Sequence, residues 1–179
     1  MKITASSWSI RFCIEIKATS HVCSRQTACM STDVSGMIEC RPLARIWGED
    51  DEDAVWQAAI DLSLLNTGNA YDALACLFGV RNSFGFQPLA EDRGLPDDVS
   101  DRLRAAFNAW GGPRDAHGTT WINWAELAAA DWDETDRSGT RSRSTVAGPG
   151  THWAPVWDVM RALAELHGPE HVRLVVWFD

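Results

Sequence analysis

Apolar and polar positions along this chain alternate with two different periods, and the periods mark its elements. From Gly36 to Arg41 the alternation is strict, with Ile38 and Cys40 on one side and Met37, Glu39 and Arg41 on the other. That predicts a strand, closed or placed at an edge by Pro42. Between Val55 and Leu65 the pattern is double. Trp56, Ala58, Ile60, Leu62 and Leu64 alternate with polar or small neighbours, while Trp56, Ile60 and Leu64 also fit a helical stripe behind the acidic Gly48–Asp53 loop. A strand is the preferred reading. At the end of the chain Val172, Leu174, Val176 and Phe178 share one face, and Val175 and Trp177 the other. A strand apolar on both faces belongs in the middle of a sheet.

Helical periods fill the intervals. Asn69 is placed to cap a helix whose apolar face is Tyr71, Leu74, Leu77 and Phe78, with Gly79 where a left-handed terminal residue is favoured. Ser100 caps a second, with Leu103, Phe107 and Trp110 inward and Gly111 after it. Asn123 and Glu126 form a capping box, stapled by Ile122 and Leu127. A last helix runs from Ala154 to His167, tolerates Pro155 in its first turn, buries Trp153, Val156, Trp157, Met160 and Leu163, and stops at Gly168-Pro169. Residues 133–150, rich in Ser, Thr, Arg and Gly, carry no apolar period and predict a mobile loop. The sum is an α+β single domain over residues 31–179: a small, mainly antiparallel sheet with a central C-terminal strand and about four packed helices.

Residues 1–30 differ in kind. Lys2, Arg11, Lys17 and Arg25 stand against Glu15 alone, and Asp, Leu, Gly and Pro are absent. We read them as a non-core extension ahead of a start at Met30; the alternation of Ile10, Phe12, Ile14 and Ile16 leaves an edge strand as the other reading.

Charge and composition then narrow the function. A net charge of -9 argues against nonspecific nucleic-acid binding, which needs cations against phosphate, while leaving room for a local basic pocket; no nucleic-acid partner is expected. No apolar run is long enough for a membrane span. The five cysteines form no CxxC pair, and Cys40 and Cys76 sit in apolar segments, as in a reduced, cytoplasmic protein. Ten Trp beside one Tyr supply many broad surfaces for packing or for lining a pocket.

Candidate chemistry concentrates between Phe78 and Trp121. In an extended Asp115–Trp121 segment, Asp115, His117, Thr119 and Trp121 project to one side. Asp115 would then orient or charge-stabilise His117, and an imidazole, whose reference pKa is close to neutrality, can act as acid, base or metal ligand. Arg81 and Arg93 offer planar forks for an anion, Asn82 a donor and an acceptor, and Trp121 a stacking face. The competing reading pairs both arginines with Glu91 and Asp92 to pin loops. Asp131, Asp133 and Asp136 miss the calcium-loop pattern, since Asp136 stands where its turn glycine belongs. No metal site and no cofactor motif is recognised.

An ordered set of segments carries a resemblance: Asp33-Val34-Ser35-Gly36-Met37-Ile38-Glu39, Asn69-Ala70-Tyr71-Asp72, Gly79-Val80-Arg81-Asn82, Arg93 through Ser100, Asp115 through Trp121, and Val175 through Asp179. Over residues 30–179 the chain resembles a family of uncharacterised proteins of bacteria and their phages. Its members open with a Cys-Asp-Ile-His-like strand and carry a Gly-Val-Arg-Asn turn and an Arg-Gly-Leu-Pro loop. The resemblance implies no activity. It adds Asp33 to the candidate site, and it sets Ser35 where the family opening often has His, which speaks against a two-histidine metal site with His117.

Two functions follow as expectations. One is a small-molecule site for a nucleotide or other anionic ligand, bound by Arg81, Asn82, Arg93, Trp121 and Asp33, with Asp115 and His117 supplying hydrolytic acid–base chemistry. The alternative is a noncatalytic protein-interaction module, such as a phage or host accessory factor with a protein partner.

Overall fold

The computed structural model describes residues 32–42, 55–66 and 68–179, all within a compact unit spanning Ser31–Asp179. The expected extension 1–30 and the acidic loop lie outside the described residues. Four strands form one antiparallel sheet: β1 Val34–Cys40, β2 Gln57–Asp61, β3 His117–Asn123 and β4 Val172–Phe178. Their order is β2-β1-β4-β3, so the C-terminal strand is central, as its two apolar faces require. Every residue of β4 is buried.

The alternation within β1 and β4 divides the core in two. Ile38, Cys40, Val172, Leu174, Val176 and Phe178 point into the larger core, with helices α1 (Tyr71–Phe78), α4 (Arg143–Ala147) and α5 (Ala154–His167) and Leu127 of α3 (Trp124–Ala129). Met37, Val175 and Trp177 point the other way, against Val99 and the Leu103 and Phe107 stripe of α2 (Asp101–Trp110). Gly36 sits where β4 leaves no room for a side chain: a Cβ there would lie 2.2 Å from the Val175 carbonyl oxygen. Cys40 and Cys76 are buried free thiols, and burial pushes Cys76 up to about 11, so neither is poised as a nucleophile.

Most caps form as expected. Ser100 accepts from the Leu103 amide, and Asn123 and Glu126 make the reciprocal capping box. The preferred strand at 55–65 is β2, ending in a 3-10 turn at Leu62–Leu64. Two expectations change. The residue before α1 is Ala70, without a side-chain cap, and the Asn69 side chain donates to Asp33. Residues 133–150 carry structure of their own: α4, and a bridge between Thr135 and Ser142. Hydrophobic periodicity missed it because two buried charges organise it. Asp136 accepts from the Ser138 hydroxyl and the Thr140 amide, and Arg143, 1% exposed, donates to Gln87 O, Asp131 O and the Glu134 carboxylate.

Candidate functional site

At the end of β4, Phe178 faces Val34 of β1 on one side and His117 of β3 on the other. Antiparallel pairing therefore sets Asp33, just before β1, beside Asp179, just after β4, and the Asp33 amide donates to the Asp179 carboxylate. The Asn69 side-chain amide donates to the Asp33 carboxylate. Thr32 ties in two more groups: its amide donates to the Tyr71 hydroxyl (3.3 Å), and its hydroxyl accepts from Arg81 Nε (2.7 Å). The Arg81 guanidinium lies over the Tyr71 ring, 5.1 Å from its centre.

Local backbone geometry aims these groups. Gly79 ends α1 in the left-handed region, at φ 75°, and Arg81 adopts φ 52°, a conformation uncommon for a side chain of its size. This double reversal brings Arg81 back toward the start of its own helix and seats Val80 against Gly118, where a Cβ would be 3.5 Å from Val80 Cγ2.

His117 reaches the same rim through a bulge. Thr120 pairs with Val176 but His117 with Phe178, so β3 carries one extra residue between them, accommodated at Gly118 with φ 54°. Directly opposed residues share a face, so His117 belongs to the Phe178 face and Trp121, opposite Val175, to the other. The expected common face of Asp115, His117, Thr119 and Trp121 is therefore not formed. Asp115 pairs with Arg114 at 3.2 Å, and its carboxylate packs against Gly111, so it belongs to the turn after α2 and does not orient His117. The exposed His117 ring forms no hydrogen bond with another described residue.

The other candidates have structural partners. Asn82 closes its own loop: its oxygen accepts from the Gly85 and Phe86 amides, both at 3.0 Å, and its nitrogen donates to Phe86 O at 2.7 Å. Arg93 Nη1 meets both Glu126 oxygens at 2.9 and 2.8 Å, Nη2 donates to Leu89 O, and the group lies over Trp121. This resembles the loop-pinning expectation, with Glu126 in place of Glu91 and Asp92. Of the seven sequence candidates, Asp33, Arg81 and His117 share the rim, whereas the Arg93 head and Trp121 lie farther along β3.

Trp121 instead lines a cavity of about 320 Å³ with Arg41, Trp56, Asp98, Glu170 and Arg173, at the opposite end of the sheet. There Glu39, fully buried, accepts from Arg173 Nε and Nη2 at 3.0 and 2.9 Å, and Arg173 Nη1 donates to Asp98 at 2.8 Å. Trp56 stacks under Arg173 at 3.8 Å and donates to Asp98 at 2.9 Å. Partial burial pushes the Asp98 carboxyl up, but the Arg173 bond and charge and the Trp56 bond outweigh it and leave it below the usual carboxylate range.

Sequence reasoning missed Asn69, Tyr71, Thr32 and Asp179 at the rim and Glu39, Asp98 and Arg173 at the other end. A signal existed for Glu39 and Arg173: opposite charges at interior positions of two otherwise apolar strands demand each other. Among the described residues, no three His, Cys, Asp or Glu side chains gather to hold a metal ion, and no helix is long and apolar enough to cross a membrane. No family profile, curated protein or solved structure matches the chain.

Proposed function

We propose that the rim at the end of β4 binds a small polar ligand bearing an acidic group, and that His117 performs acid–base chemistry on it. The observation that carries this is convergence. Thr32-Asp33, Asn69 to Tyr71, Arg81, His117 and Asp179 come from five separate stretches of chain and meet at one end of the sheet. Arg81, steadied by Thr32 and the Tyr71 ring, would hold the acidic group; a guanidinium suits carboxylate or phosphate. The imidazole of His117, exposed and bonded to no other described residue, would take a proton from water or give one to a leaving group. Asp33 and Asp179 would stabilise the positive charge that develops on it. Hydrolysis of a nucleotide or another phosphorylated metabolite is the reaction class this set suits. The buried, unpaired thiols Cys40 and Cys76 support a reducing, cytoplasmic setting.

A thermal-shift screen of nucleotides and phosphorylated metabolites tests it, with Arg81→Ala and His117→Ala beside the parent. A ligand that stabilises the parent should bind Arg81→Ala at least tenfold more weakly, the loss of about one charged hydrogen bond. His117→Ala should retain the shift and lose turnover. A stabilising ligand indifferent to both substitutions would overturn the assignment.

A further inference from the structure

A second concavity lies between α3, α4 and α5, and none of the rim residues lines it. Its volume is about 340 Å³, within the range of small-molecule sites. Trp124, Leu127 and Ala128 form one wall, Trp132 and Trp157 the other, and Asp158 and Arg161 stand at the mouth.

Its walls are fixed. Trp132 donates its indole N–H to Leu127 O at 3.1 Å, and Trp157 to Ala147 O at 2.6 Å. Their rings meet edge to face at 6.3 Å, and Trp153 stacks behind Trp157 at 5.3 Å, with 18° between the planes. Indoles held by both a hydrogen bond and a neighbouring ring are not free to collapse into the space, so a ligand would find it already formed.

The two charged groups at the mouth and the Ser144 hydroxyl already have partners without a ligand. Asp158 and Arg161 pair with each other at 2.6 Å, and the Ser144 hydroxyl bonds Ser142. A charged guest would have to leave water without gaining an unpaired counter-charge, which is unfavourable in an apolar site. An aromatic guest gains dispersion and edge-to-face contact with the indoles. We infer that this cavity binds a small, uncharged aromatic molecule, independently of the rim at the end of β4.

N-phenyl-1-naphthylamine is a suitable probe, since it is neutral, aromatic and excited by energy transfer from Trp. The parent should bind it saturably at one site. Ala128→Phe, which fills the space from the exposed side of α3, should weaken binding roughly tenfold or more while leaving the melting temperature of the free protein unchanged. Asp158→Asn should leave the affinity within about twofold. Unsaturable binding, or undiminished binding by a natively melting Ala128→Phe variant, would overturn the inference. If that variant does not fold, a crystal of the parent soaked with the probe decides: the naphthyl group between Trp124 and Trp157 supports the site, and density only elsewhere refutes it.

Discussion

The two ends of β4 use similar side chains in opposite ways. At its start, Arg173 is met by the Glu39 and Asp98 carboxylates, the Asp98 carbonyl and the Trp56 ring, and Glu39 also accepts the Ser100 amide at the start of α2. Each buried charge there has a counter-charge, and the network joins sheet to helix. At its finish, among the described residues, the Asp33 and Asp179 carboxylates are met by neutral donors, an amide side chain and a backbone N–H, and the His117 ring has no hydrogen-bond partner. A counter-charged network fixes structure. Carboxylates met by neutral donors keep more of their field for something else.

The strongest break in that comparison is at the closed end. Glu39→Ala would leave Arg173 buried beside a cavity and the Ser100 amide without its acceptor. Removing one partner of a buried pair typically costs about 3–5 kcal/mol. Urea denaturation should show a loss of that size with an unchanged slope. A loss below about 1 kcal/mol would mean that Asp98 alone suffices for Arg173, and the end would not be closed in the sense argued.

Asn82→Ala comes next and sharpens what belongs to the rim. Asn82 directly follows Arg81, yet three hydrogen bonds commit its side chain to the 82–86 loop. Losing them should cost about 1–3 kcal/mol in thermal or urea unfolding. Any weakening of ligand binding should then be smaller than that from Arg81→Ala. The reverse order would return Asn82 to the ligand.

The chain made its strands and helices legible where burial follows a regular period. Val172–Phe178 could only be a central strand, and Ala154–His167 is framed by Pro155 and Gly168-Pro169. The site was less legible because its geometry comes from exceptions to period. One bulge at Gly118 moves His117 off the face of Trp121, and the left-handed Arg81 sends its side chain back along α1. Asn69 looked like a cap and acts as a donor to Asp33 instead, because its competing partner lies 36 residues away in sequence. Likewise α4 is anchored by Arg143 bonding to carbonyls, which no apolar pattern reports.

Acid offers a gentler probe of the closed end. The Asp98 carboxyl is depressed, so its ionised form contributes stability above its unfolded value near roughly 3.9. That contribution is lost as pH falls through the lower folded value. Stability of the parent should therefore fall more steeply below about pH 4 than that of Asp98→Asn. Because the Asp98 side chain is 56% exposed, high salt should shrink the difference. Parallel curves for the two proteins would deny Asp98 this role.

The smallest stability effect is expected at His117, and its smallness is informative. The ring is exposed and bonds to no described residue, so His117→Ala should change unfolding free energy by no more than about 0.5 kcal/mol. Gly118→Ala is the matched comparison. It puts a side chain at φ 54° with a Cβ 3.3 Å from the Phe178 ring, so it should destabilise measurably and disturb the bulge that presents His117. If both variants lose turnover but only Gly118→Ala loses stability, the bulge acts by positioning and the imidazole by chemistry. If His117→Ala is as destabilising as Gly118→Ala, the histidine is holding the sheet end together, and the difference between the two ends of β4 disappears.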